Sequence, residues 1–254
     1  MADHPKPATP PSGPPCAEHS GDFVPIVLAS QSPRRRRLLG WLGLPFRSTA
    51  VDTPEELDSP LASDPSALAT HLASEKAIAA RAEEHAESEL LLCFDTIVVL
   101  DGETIGKPTD IPDAWGMLRT LSGRTHDVVT GVAMLRPGEE EPLTFAVSTP
   151  VRMRELSDGD IESWMASGEF MGCAGAYNIE AQIADVALTE CYQNVAGLPL
   201  CHLFAKLAEM PEALAGARPA SPVATCDSAL GRRCELGPRL AGGYPLGAND
   251  ARRL

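Results

Sequence analysis

No two of the seven cysteines in this sequence stand three residues apart, so it contains neither a CxxC metal knuckle nor a CxxC redox pair. Cys16, Cys93, Cys173, Cys191, Cys201, Cys226 and Cys234 are an odd, widely spaced set, which fits reduced thiols in a cytoplasm. No apolar run approaches the roughly 18 residues that read as a membrane span. The opening stretch MADHPKPATPPSGPP has neither the basic start nor the apolar core of a signal peptide. A cytoplasmic protein without a membrane partner is therefore expected. HExxH, Gly-x-Ser-x-Gly, Walker A and GxGxxG patterns are absent too. A basic surplus is also lacking: the net charge of −14 argues against a nucleic acid polymer or an anionic membrane surface as partner. A small anionic substrate stays open, provided a local basic pocket overrides the global field.

The 254 residues, 44% hydrophobic and 22% charged, suffice for one large globular domain or two small ones. Residues 1–23 hold six prolines in their first fifteen positions and almost no large apolar groups, which predicts a disordered arm. Residues 211–254 hold 11 glycines and prolines with no clear periodicity, which predicts a flexible tail. The formal charge is −2 for the arm, +2 for the tail and −14 for residues 24–210, so the acidity belongs to the body. That body alternates strand and helix signals. Strands are expected at 25–29, 90–100, 126–135 and, with period-two alternation, from Leu143 to Met153. Helices are expected at 33–42, 65–86, 112–121, 157–167 and 198–210. Asp101-Gly102 is a hairpin signal. A hairpin together with crossover-length helices implies an α/β class with some antiparallel strands.

Four segments carry the chemistry. In Ser30-Gln31-Ser32-Pro33-Arg34-Arg35-Arg36-Arg37, Ser32 is a good N-cap and Pro33 a good first helical residue. Arginines in the first turns oppose the helix dipole, and an anion would resolve that conflict. A solvated basic helix face is the bland alternative. Asp95 lies within LLLCFDTIVVL, nine of whose eleven residues are apolar, with the hydroxyl of Thr96 beside it. A lone buried carboxylate costs several kcal/mol, so it is expected as a metal ligand or general base, or as the partner of an arginine. Lys107, in Gly106-Lys107-Pro108, could reach back toward the Asp95 strand, or could be an ordinary turn lysine. The loop Cys173 to Glu180 is small-residue rich, with Tyr177 as a stacking face and Glu180 as an acceptor for a base edge; by itself it reads as a plain loop. The acidic stretch Asp52 to Glu56 and the helical pair Glu75-Lys76 are weak signals alone.

Taken in order, LASQSPRRRRLL, SEKA, FDTIVV, GETIGKP, DAWGMLRTLSGRTHDVVTGVA, SGE, CAGAYNIE and NVAGLPL resemble the Maf (septum-formation-like) nucleotide pyrophosphatases over residues 24–209. The resemblance implies a Maf/ITPase-like mixed sheet with flanking helices and two lobes around a central cleft. It implies hydrolysis of a nucleoside triphosphate to a monophosphate and diphosphate with Mg²⁺ or Mn²⁺, on dTTP, UTP or another pyrimidine, modified or non-standard nucleotide. A house-cleaning role linked to cell-division arrest and a homodimer go with it. By the same resemblance Asp95, Lys107, Lys76 and Glu55 (or Glu56) are catalytic, with Asp95 and Glu55 on the metal. Ser30, Ser32 and Arg35 match the phosphate loop. Arg34, Thr96 and Glu180 fall where the family sets its choice of base. Arg34 and Thr96 resemble the dTTP/UTP branch, whereas Glu180 resembles the 7-methyl-GTP branch. Ala181 replaces a common glycine, and Phe94 a small residue. A non-catalytic nucleotide-binding regulator and a different phosphohydrolase, such as a monophosphatase, are the rival readings.

Overall fold

The computed structural model describes residues 26–51, 53, 54, 56–84 and 87–241. The proline-rich arm, Glu55 and residues 242–254 lie outside the described residues. In chain order the elements are β1 (Ile26–Ala29), α1 (Pro33–Gly40), β2 (Phe46–Thr49), α2 (Pro65–Glu84), β3 (Leu90–Leu100), β4 (Glu103–Ile105), α3 (Ile111–Leu121), β5 (Thr125–Leu135), β6 (Leu143–Met153), α4 (Asp158–Met165), β7 (Ala184–Val186), α5 (Tyr192–Val195), α6 (Leu200–Ala208), α7 (Val223–Leu230) and α8 (Leu236–Ala241), with short 3₁₀ turns between some of them. The expected long elements are present; Pro25, His85 and Ala86, which the expected strand 25–29 and helix 65–86 include, lie outside the described residues, and the other ends agree to within two residues.

One seven-stranded sheet has the order β2-β1-β3-β5-β6-β7, with β4 beside the far end of β3. β1 is parallel to β2 and β3, and all other pairs are antiparallel. This is the mixed sheet with flanking helices that the alternating signals imply. The period-two pattern sets what each face buries. Leu91, Cys93, Ile97 and Val99 of β3 face α2, whose Leu68, Ala69, Leu72, Ala73, Ala77 and Ala80 are buried against the sheet. Leu90, Leu92, Phe94 and Val98 face the opposite core, which is closed by Leu38 and Leu39 of α1, Leu118 and Leu121 of α3, and Leu200, Leu203 and Leu207 of α6. Each such leucine contributes roughly 1.5–3 kcal/mol relative to exposure.

Small residues bring α2 close to the sheet. Gly131 of β5 lies under α2 so tightly that a Cβ there would stand 2.1 Å from the carbonyl oxygen of Ala69. The helix starts cleanly because Oδ1 of Asp64 accepts hydrogen bonds from the amides of Ser66 and Ala67, both at 3.0 Å.

Beyond residue 210 the expectation of a loose tail is corrected for residues 211–241. They form a 3₁₀ turn (Pro211–Leu214), α7 and α8. Leu214, Cys226 and Leu240 are buried. The amide of Ala220 donates to the carbonyl of Leu42 at 2.7 Å, and that of Glu235 to Leu188 at 2.9 Å. Cys191, Cys201, Cys226 and Cys234 line a small pocket under this segment. Burial pushes the Cys191 thiol up to about 12 and raises Cys201 and Cys226 as well, so these three are protonated, unreactive packing groups at neutral pH. Among the described residues no helix is long and apolar enough to cross a membrane.

Candidate active site

The cleft opens where the pairing of β3 is interrupted. On its β1 side, β3 is bonded only from Leu90 to Leu92, because β1 ends at Ala29. On the same side β4 takes over only from Val98. Between these, residues 93–97 have a partner only in β5. The chain leaving β1 turns through Ser30 into α1, so the gap sits at the carboxyl end of β1. There the sheet's connections diverge, toward β2 on one side and β3 on the other. Open α/β sheets bind ligands at such a point.

Because adjacent side chains of a strand point to opposite faces, the gap receives Asp95 from the α2 face and Thr96 from the α1 face. The cleft, with a volume of about 450 Å³, is lined by Ser30, Ser32, Arg34, Arg35, Lys76, Asp95, Thr96 and Lys107. Eight expected site residues thus come together from the loop between β1 and α1, from α1, α2 and β3, and from the segment after β4.

Asp95 is 3% exposed and forms an ion pair with Lys76, whose ammonium reaches it from the middle of α2. That pair satisfies the buried charge. Ser32 caps α1: its Oγ accepts from the amide of Arg35 at 3.4 Å, with Pro33 in the first turn. Arg35 is held on three sides. Its Nε donates to the carbonyl of Gly197 at 2.8 Å, Nη1 to Ser30 Oγ at 3.3 Å and Nη2 to Thr96 Oγ1 at 3.0 Å. The guanidinium also lies 5.7 Å over the ring of Phe94. Gly197 has φ +92°, and a Cβ on it would come within 3.2 Å of Arg35 Nε, so both conformation and space require glycine. Arg34 donates to Cys173 Sγ at 3.3 Å across the mouth. Lys107 is exposed at the rim, beside the buried Pro108.

Two expected residues are placed elsewhere. Glu180 is absent from the lining and forms an exposed ion pair with Arg37 on α1. Glu56 is exposed and also outside the lining. Glu55 lies outside the described residues.

Thr53 and Met171 line the cleft without having been singled out in the sequence, and Tyr177, expected as a stacking face, lines it as well. Thr53 contributes a buried hydroxyl with no hydrogen-bond partner among the described residues. Met171 lines the opposite wall and is exposed. The Tyr177 ring lines the cleft while its hydroxyl bonds His126 Nε2 at 2.7 Å. Burial lowers His126 to about 4 and raises the tyrosine, so both are neutral at pH 7.

Basic groups therefore surround one buried carboxylate in an otherwise acidic protein. Among the described residues no three His, Cys, Asp or Glu side chains form a ready-made metal shell. Among the described residues Asp95 is the one carboxylate in the lining. Mg²⁺ and similar hard cations keep several waters and take one or two carboxylates plus substrate phosphate oxygens, so this donor set fits such an ion only together with a polyphosphate.

Residues 25–210 match the family of Maf-like proteins. The protein is similar to the dTTP/UTP pyrophosphatase of Dictyoglomus turgidum, with 41% identity over 180 residues, 70% of this chain and 92% of that one. The proteins of the same name from Geobacter metallireducens (42% over 188 residues, 73% and 95%) and Geobacter sulfurreducens (43% over 181 residues, 70% and 92%) are similar to it as well. With most of its length matching the family, and with the relatives covered almost end to end, the chain belongs to the Maf family.

Proposed function

We propose that this protein hydrolyses nucleoside triphosphates, dTTP and UTP first among them, to the monophosphate and pyrophosphate. The observation that carries the reading is the buried carboxylate of Asp95 in the gap of β3, facing the Ser30–Arg35 loop across one cleft. The polyphosphate lies against that loop, where hydroxyls, the start of α1 and the fixed fork of Arg35 all favour anions. Lys107 at the rim and Lys76 beneath add positive charge. Asp95 takes a proton from the water that attacks the α-phosphorus, the α–β bridging bond breaks, and pyrophosphate leaves. Catalysis of this kind is mostly positioning and charge stabilisation.

A divalent cation, Mg²⁺ or Mn²⁺, would be held by Asp95, with Glu55 as the second carboxylate the resemblance implies, and would supply charge neutralisation. The dTTP/UTP preference follows the names of the relatives. It is supported by Arg34 and Thr96 in the cleft and by Glu180 lying outside it in a pair with Arg37.

The test is pyrophosphate release from dTTP, UTP, CTP, GTP, 7-methyl-GTP and ITP with Mg²⁺ or Mn²⁺, with Asp95→Asn as control. Turnover of dTTP and UTP, lost in the variant, is expected. Release of inorganic phosphate instead would indicate a different phosphohydrolase, one that cleaves the terminal phosphoanhydride. Nucleotide binding without turnover would indicate a regulator.

A further inference from the structure

Behind Thr96, away from the cleft, stands Thr130, its directly opposed cross-strand neighbour on β5. Thr130 is fully buried and does not line the cleft. Its hydroxyl has two oxygen neighbours: the backbone carbonyl of Asn194 at 3.2 Å and Thr96 Oγ1 at 3.0 Å. A carbonyl only accepts, so placing the Thr130 hydrogen anywhere else would oppose lone pairs in a dry interior, where unpaired polar groups are costly. The Thr130 hydrogen therefore goes to Asn194. The Thr96 hydrogen in turn goes to Thr130. Thr96 Oγ1 also accepts from Arg35 Nη2, which leaves it one lone pair and no hydrogen for the cleft.

The carbonyl that starts this relay is itself fixed. Asn194 is fully buried, and the two hydrogens of its Nδ2 go to the carbonyls of Val128 and Val147 at 3.0 and 2.9 Å, with Thr149 Oγ1 beside it at 3.1 Å. The side chain thus ties α5 to β5 and β6, and the direction of every hydrogen from Asn194 to the cleft wall is set by the fold.

We propose that Thr130 is a positioning residue that makes Thr96 a fixed hydrogen-bond acceptor, and that this polarity selects a base with a ring N–H donor. Uracil and thymine present such a donor at N3, where cytosine presents a bare lone pair. Phosphate oxygens only accept, so Thr96 offers the polyphosphate no hydrogen, and its remaining lone pair is left to a donor on the base. The inference rests on the nucleotide reading above and assigns the origin of its selectivity.

The experiment compares the ratio of kcat/KM for UTP over CTP in the wild type, Thr130→Val and Thr130→Ser. Valine keeps the shape of Thr130 but removes the acceptor, which frees the Thr96 hydroxyl to turn its hydrogen toward the cleft. The ratio is expected to exceed one in the wild type, to fall about tenfold in Thr130→Val and to return in Thr130→Ser. A loss of packing alone would slow both nucleotides together and leave the ratio unchanged. An unchanged or increased ratio in an active Thr130→Val protein overturns the inference. If the wild type releases no pyrophosphate from any nucleotide, the parent reading has failed instead. The same preference is then read from equilibrium binding of the UTP and CTP analogues with nitrogen bridging the α- and β-phosphorus. Equal affinities of the wild type for the two analogues, or no binding, would overturn the inference there too.

Discussion

Along one edge β3 is matched residue for residue to β5 from Leu91 to Val99; along the other it is held near its two ends and open between them. The two edges share the same residues, so composition does not distinguish them. The paired edge spends its backbone groups on the ladder to β5. The open edge leaves room for the polar side chains of Asp95 and Thr96 and for the loop that follows β1. Chemistry collects where the ladder stops because only there can a rigid strand present side chains to a ligand.

Substitutions on the two edges should therefore fail in different ways. On the open edge, Asp95→Asn should lower kcat for pyrophosphate release by about 10²- to 10⁴-fold, the usual effect of losing a general base, while the thermal midpoint shifts by only a few degrees. On the paired edge, Gly131→Ala, directly opposite Asp95 in register, should do the reverse. Its Cβ meets the backbone of α2, so stability should fall by about 1–3 kcal/mol in denaturant titration. Gly197→Ala tests the junction of the two, since it presses on Arg35 and strains a positive φ. A loss of about 1 kcal/mol and a several-fold rise in KM are expected.

The paired strand also has a pH signature. The buried His126 of β5 titrates near 4 when folded and near 6.5 when unfolded, so the unfolded chain binds the extra proton first as the pH falls. Stability should decline from about pH 6.5 down toward 4, by roughly 1–2 kcal/mol at pH 5 relative to pH 7.5. Urea titrations at the two pH values should show a decline that His126→Asn flattens. The smallest effect belongs to Glu180→Gln. Its pair with Arg37 is exposed, so stability should change by less than about 1 kcal/mol. UTP turnover should stay within about twofold.

The parts of the site legible in the sequence are those that break a local rule. A carboxylate in an apolar strand and arginines at a helix start both demand a partner; in one cleft Asp95 finds Lys76, and Arg35 finds Gly197, Ser30 and Thr96. Thr130 and Asn194 break no rule. Threonine is an ordinary strand residue, and an asparagine beside Val195 in a four-residue helix gives no pattern, so their roles emerge only from the register of β5 and the docking of α5. Gly197 likewise reads as a helix boundary until Arg35 is seen against it. β2 and β7, four and three residues long, are too short to show periodicity. Residues 211–241 read as loose because α7 and α8 are only eight and six residues long, too short to show periodicity. What holds them is contact with residues about 35 to 180 positions earlier, Cys201, Leu188 and Leu42 among them. Glu180 shows the converse: a residue singled out by resemblance is turned to the surface by a neighbouring arginine.

The run of alanines on the inner face of α2 works as a caliper. Ala69, Ala73, Ala77 and Ala80 set the gap between helix and sheet at methyl thickness, and Lys76 is delivered to Asp95 across that gap. Replacing any of these methyls with a longer chain would lift the helix and draw the ammonium back from the carboxylate. The reach of a charged group in this cleft is thus set by the size of uncharged residues that never touch the ligand.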